Sequence, residues 1–149
     1  MKKTNSKDNE TIDELIPSLK SRGVDLGLKR IQSVISKMGS PCSKIPAIQI
    51  AGTNGKGSIA CFLESCLIKA GIRTGCTTSP HLIDWCERIR IDGEEISIKS
   101  FRESINTIKA IAKDEDLTPF ELVIATAFNH FSLNKVELMI LEVGLGGRL

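Results

Sequence analysis

The stretch Ile48-Gln49-Ile50-Ala51-Gly52-Thr53-Asn54-Gly55-Lys56-Gly57-Ser58 constrains this chain more than any other. Ile48, Ile50 and Ala51 form a short apolar run of the kind a buried strand supplies. Three glycines follow within six residues, with Lys56 between the last two. From Ser58 the pattern turns helical, with Ile59, Cys61, Phe62, Leu63, Cys66, Leu67 and Ala70 expected on one broad apolar face. A strand that feeds a glycine turn at a helix N-terminus is a built anion site. Backbone N–H groups converge on the ligand and the helix dipole favours negative charge. Lys56 adds a point charge for phosphate oxygens.

The loop departs from the standard phosphate-loop pattern. That pattern wants glycine at position 50, where this chain has Ile50, and Ser or Thr directly after the lysine, where Gly57 precedes Ser58. An ordinary strand-to-helix turn that happens to hold a lysine is the plainer alternative.

At 149 residues the chain is long enough for one domain with a real core. A net charge of +2 gives no general attraction to nucleic acid or to membranes, so any basic site is local. Five cysteines without a C-x-x-C pair argue against a disulfide framework or zinc site, and fit a reducing cytoplasm. Cys61 and Cys66 read as small core residues. The polar residues 1–10 are expected to be disordered and carry no apolar signal segment.

Along the chain, Ile12, Leu15, Ile16 and Leu19 suggest a short helix around Pro17. Leu28, Ile31, Val34, Ile35 and Met38 form a second helical stripe, capped near Asp25 and ended by Gly39. After the helix of residues 57–70, Gly71 is a stop, and Ile72 to Thr78 reads as a strand ending in Ser79-Pro80-His81-Leu82. Trp85 falls in the following loop. Ile89-Arg90-Ile91 with Asp92-Gly93 reads as a short strand and turn. Ser97 to Ala112 is an amphipathic helix facing inward through Ile98, Phe101, Ile105, Ile108 and Ile111. Pro119 opens a largely buried helix running to Leu133. Val136 to Val143 is a strong strand that runs into Gly144-Leu145-Gly146-Gly147-Arg148-Leu149.

Strands that alternate with helices predict an α/β fold, a mostly parallel sheet flanked by helices. Such sheets bind ligands at the carboxyl ends of their strands. Three strand ends here carry polar residues: the loop at 52–58, Ser79-Pro80-His81, and Glu142 with its glycines. Each has a blander reading. Ser79 before Pro80 can simply shape a turn. Glu142 can be a solvated charge. His81 can brace its own loop, and Trp85 can cover the core. His130, Phe128 and Phe131 read as helix packing.

These motifs together resemble the folylpolyglutamate synthase/dihydrofolate synthase family of the Mur ligase superfamily. The resemblance is carried by Ala51 to Ser58, Thr78-Ser79-Pro80-His81-Leu82, Glu87-Arg88-Ile89 and Leu141-Glu142-Val143-Gly144-Leu145-Gly146-Gly147-Arg148-Leu149. It covers residues 11–149 and implies the N-terminal part of a phosphate-loop domain like the Mur ligase central domain. The Lys-Gly-Ser ending favours the folate branch.

The resemblance also implies a reaction. ATP phosphorylates a carboxylate, and the amino group of L-glutamate attacks the acyl phosphate to form an amide on dihydropteroate or a folate. Lys56 would act on the β- and γ-phosphates, with Gly52, Thr53, Asn54, Gly55, Gly57 and Ser58 completing the ATP-binding loop. Ser79 and Glu142 would hold Mg2+, and His81 would face the substrate. The chain departs from the family in length, since members run to more than twice its size. Later sheet strands, further metal-binding residues and the C-terminal domain that helps hold glutamate have no counterpart here, and association with such a C-terminal part is expected. A nucleotide-binding module without ligase activity shares every motif. A small kinase would need a stricter loop and an arginine-bearing lid.

Overall fold

The computed structural model describes residues 12–16 and 27–144. The expected disorder at 1–10, the Asp25 cap, Leu19 and the glycine loop beyond Gly144 lie outside those residues. Five helices and five strands alternate in part: α1 (Ile12–Leu15), α2 (Lys29–Lys37), β1 (Ala47–Ile50), α3 (Lys56–Lys69), β2 (Thr74–Thr77), β3 (Ile89–Ile91), β4 (Glu94–Glu95), α4 (Ile98–Ile111), α5 (Pro119–Leu133) and β5 (Leu138–Glu142). Trp85–Arg88, expected as loop, forms a 3₁₀ turn.

One sheet holds all five strands in the order β1-β5-β2-β3-β4. β1, β5 and β2 are parallel, with Ala47 opposite Met139 and Thr74 opposite Leu138. β3 runs antiparallel to β2, and β4 antiparallel to β3. The parallel part follows from crossover helices between strands, whereas the tight Asp92-Gly93 turn can only join antiparallel neighbours. β5 has a partner on both sides, as its apolar run predicts.

Side chains alternate across β5 and sort the core into two layers. Met139 and Leu141 face the larger layer, where α1, α2, α4 and α5 pack through Val34, Phe101, Ile105, Ile108, Leu122 and Phe131. Leu138 and Ile140 face α3 in a smaller layer with Ile50, Ala60, Leu63, Leu67 and Cys76. α5 begins with a capping box, Thr118 with Glu121, and Pro119 in its first turn. Among the described residues no helix is long and apolar enough to cross a membrane.

Three expectations change. β1 is an edge strand, exposed at Ala47, Ile48 and Gln49 and buried only at Ile50. The face of α3 that meets the sheet is Ala60, Leu63, Glu64 and Leu67, spaced one helical turn apart. Ile59, Phe62, Cys61 and Cys66 lie outside it, with Phe62 73% exposed, so the two cysteines are not core residues. α3 is apolar around most of its circumference, and the sheet can cover only one side of it. Phe120 and Ile98 are exposed as well, each in the first turn of its helix.

Candidate functional site

The polar strand ends meet at the start of α3. Gly55 is the residue before the helix and takes a left-handed conformation, φ 76°, that a side chain disfavours. It supplies no side-chain cap, whereas α4, α5 and the 3₁₀ turn are capped by Ser97, Thr118 and Asp84. The first-turn amides of Lys56, Gly57 and Ser58 therefore form the positive end of a helix that no side chain of the cap position neutralises. Thr53, Asn54 and Ser58 are exposed around this turn. The ammonium of Lys56 donates to the Gly52 carbonyl at 3.1 Å, which folds the side chain back over the loop.

Glu142 belongs to the Leu138 and Ile140 face of β5, two residues further on, so alternation aims it at α3. It is 8% exposed. Its Oε2 accepts the backbone N–H of Ser79 at 3.0 Å. A methyl group at Gly57 would sit 3.9 Å from the same oxygen. Ser79, Glu142 and the first turn of α3 thus border one cavity of about 300 Å³, together with Thr78, Glu87 and Arg90. The Ser79–Pro80 peptide is cis.

His81 stands a short way off in a braced cluster. Its Nδ1 accepts from Nε of Arg88 at 2.8 Å, which fixes the tautomer with the proton on Nε2. Its ring lies 4.5 Å from that of Trp85, and the Arg88 guanidinium sits 4.4 Å over the indole. Trp85 packs on the larger core layer. Burial lowers the pKa of Arg88 while Glu87 raises it. Leu82 and Ile83, next in the chain, are more than nine-tenths exposed. His130 is removed from all of this, half-buried on α5, where burial lowers its pKa.

Two groups carry roles that the sequence reading did not assign them. Glu87 accepts the N–H groups of Leu82, Ile83 and Asp84 at 2.8, 2.7 and 2.6 Å and so shapes the loop after Ser79. The bonds from Leu82, Asp84 and Ile83 lower its pKa below the ordinary 4.5. Arg90 of β3 forms a partly buried ion pair with Glu64 of α3 at 3.0 Å. The available signal was a glutamate inside an apolar helix, which must find a partner when buried.

The donor set suits a hard divalent cation in part. Glu142 and the Ser79 side chain offer oxygen, the class of ligand Mg2+ takes. Among the described residues no group of three or more His, Cys, Asp or Glu side chains could hold a metal. A cation that keeps several waters and leans on phosphate oxygens is compatible with so small a protein contribution.

No protein-family model matches the chain. It is 38% identical over 134 residues to the dihydrofolate synthase/folylpolyglutamate synthase of Escherichia coli (strain K12), covering 90% of this chain and 32% of that protein. Among solved structures, it matches a bifunctional folylpolyglutamate synthase/dihydrofolate synthase from Yersinia pestis complexed with AMPPNP and Mn ion. There the TM-score is 0.81 at 41% identity, over 88% of this chain and 32% of the other. It also matches E. coli FolC in complex with DHPP and ADP, with a TM-score of 0.81 at 39% identity, over 87% of this chain and 31% of the other. The chain spans about a third of the length of these relatives.

Proposed function

We propose that this chain, which belongs to the folylpolyglutamate synthase/dihydrofolate synthase family, carries the phosphate-and-metal half of an ATP-dependent glutamate ligase site. The supporting observation is the meeting of Glu142 and Ser79 beside the uncapped first turn of α3. On this reading the amides of residues 52–58 cradle the ATP phosphates and Lys56 places its charge on the β- and γ-phosphates. Glu142 and Ser79 would hold Mg2+, which would supply charge neutralisation at the phosphate oxygens. The relatives' bound AMPPNP, ADP and Mn ion support a nucleotide and a divalent metal.

In the whole reaction the carboxylate of dihydropteroate or a folate attacks the γ-phosphorus, and ADP leaves with the bridging oxygen. The amine of L-glutamate then attacks the acyl carbon, phosphate departs, and an amide forms. The chain's own contribution is positioning and charge neutralisation, which carry most of phosphoryl-transfer catalysis. His81, held by Arg88 and Trp85, is the candidate on this chain for the substrate side. A cytoplasmic setting, with no membrane or nucleic-acid partner, belongs to the same reading.

A second reading is a nucleotide-binding unit that does not ligate by itself. It asks only for the glycine loop, Ser79 and Glu142, which all lie within the third of the relatives' length that the chain spans. Incubating the purified chain with ATP, Mg2+, L-glutamate and dihydropteroate separates the two. The amide product, seen by mass spectrometry, supports ligation. ATP binding without product supports the second reading, and no binding at all overturns both.

A further inference from the structure

Arg90 is walled in by acceptors. Its Nε and Nη2 both donate to Oε2 of Glu64 at 3.0 Å. Nη2 also meets Sγ of Cys76 at 3.3 Å. Nη1 donates to Oγ1 of Thr78 at 3.2 Å and to the Glu87 carbonyl at 3.3 Å. A guanidinium has five N–H groups, and each of these has a protein acceptor. Although Arg90 borders the cavity beside Glu142, it has no donor left over for a phosphate or carboxylate. Burial works to lower its pKa, and Cys76 and Glu64 more than offset this, so the charge is kept.

The identity of the acceptors is informative. Thr78 and Glu87 are the first and last residues of the segment that holds Ser79, Pro80 and His81. Glu64 lies two turns into α3, the helix that the glycine loop opens. One side chain on β3 therefore ties both ends of the Ser79 segment to the phosphate-loop helix. The pair is a poor choice for stability alone. Glu64 is buried and Arg90 largely so, and Oε1 of Glu64 is buried with no hydrogen bond among the described residues. Replacing such pairs with apolar side chains is often neutral or stabilising.

We propose that Arg90 is a positioning residue: it locks the Thr78–Glu87 segment onto α3 and so sets Ser79 and Glu142 against the glycine loop. The consequence for nucleotide rests on the reading above. The lock serves the metal-dependent part of nucleotide affinity, because Ser79 sits on the segment it holds. The glycine loop itself does not depend on it.

The test uses the full 149-residue chain, with Arg90→Lys and with the apolar pair Glu64→Leu/Arg90→Met. Lysine keeps the charge but cannot span Glu64, Thr78 and Glu87 together. Amide exchange at Ser79 and Leu82 should quicken by about tenfold or more in both, while Met139 and Ile140 of β5 exchange as before. Affinity for ATP with magnesium should fall by about tenfold, with affinity in chelator unchanged. Unchanged exchange in the segment in either folded variant overturns the lock. An equal loss of affinity with and without magnesium overturns the link to the metal. A wild-type chain that binds no nucleotide in either condition overturns the nucleotide reading and this link with it, leaving the exchange data to decide the lock.

Discussion

The backbone N–H of Ser79 donates to Oε2 of Glu142 at 3.0 Å, across 63 residues of sequence. The bond joins the carboxyl ends of two adjacent parallel strands, β2 and β5. It fixes one oxygen of the carboxylate and sets the Ser79 residue against it. Substituting Glu142 by Gln keeps an acceptor for that bond and removes the charge. The magnesium concentration needed for ATP binding should rise by about tenfold or more, with little change for metal-free nucleotide. A magnesium titration unchanged by E142Q would count against the metal role.

Lys56→Ala should weaken ATP binding by about 1.5–3 kcal/mol, the usual worth of a hydrogen bond to a charged group. The exposed Lys113 is the control, since it lies on the turn after α4. Calorimetry is expected to leave Lys113→Ala at wild-type affinity. Equal losses in the two variants would reduce Lys56 to a contributor of general charge.

The loop after Ser79 should loosen in acid. Backbone bonds from Leu82, Asp84 and Ile83 hold the Glu87 pKa below its ordinary 4.5. A group depressed on folding stabilises the fold above its unfolded pKa, and that contribution fades as pH falls through the lower folded value. Amide exchange at Leu82 and Ile83 should therefore accelerate below about pH 4.5 and stay protected at neutral pH. Glu87→Gln should make exchange at these amides insensitive to pH over that window, apart from the intrinsic chemical rate.

Gly75 of β2 packs so closely on α5 that a Cβ would lie 2.8 Å from the Phe131 ring. Gly75→Ala should cost about 1–3 kcal/mol through overpacking, read from chemical denaturation. Phe131→Leu in the same chain should restore part of the loss, because it removes the atoms in conflict. Additive losses in the double variant would show that the close approach is not the cause.

Much of this arrangement was legible in the sequence. The nearly unbroken apolar run of Val136 to Val143 marks a doubly covered strand, and the strand-end rule singles out Ser79 and Glu142. What stayed hidden depended on neighbours. α3 is apolar on so many sides that periodicity could not say which side meets the sheet, and the answer, Ala60 with Leu63, Glu64 and Leu67, includes a charge. The edge position of β1 is set by pairing with residues 139–142, which no local pattern of Ile48 and Ile50 reveals. Arg90 looked like the polar member of a short strand, since its partners come from α3, β2 and the 3₁₀ turn.

The exposed side of α3 and the edge of β1 make a further test. Ile59 is 54% exposed and Phe62 73%, and β1 has a free edge among the described residues. Such surfaces favour association. Phe62→Ser should lower the apparent mass in light scattering while changing stability by no more than about 0.5 kcal/mol. A wild-type chain that is already monodisperse at high concentration would show that this face does not drive association.

The place of β5 in the sheet bears on how the molecule is made. β1 and β2 each pair with β5, and not with each other. The strand that precedes the glycine loop thus has no neighbour to join until residues 138–142 have left the ribosome. Helical turns can come and go locally in the meantime, but the parallel ladder closes only when that late segment threads between the two earlier strands. Contacts so distant in sequence are slow to form. During synthesis the glycine turn after β1 therefore emerges well before the strand that completes the ladder beside it.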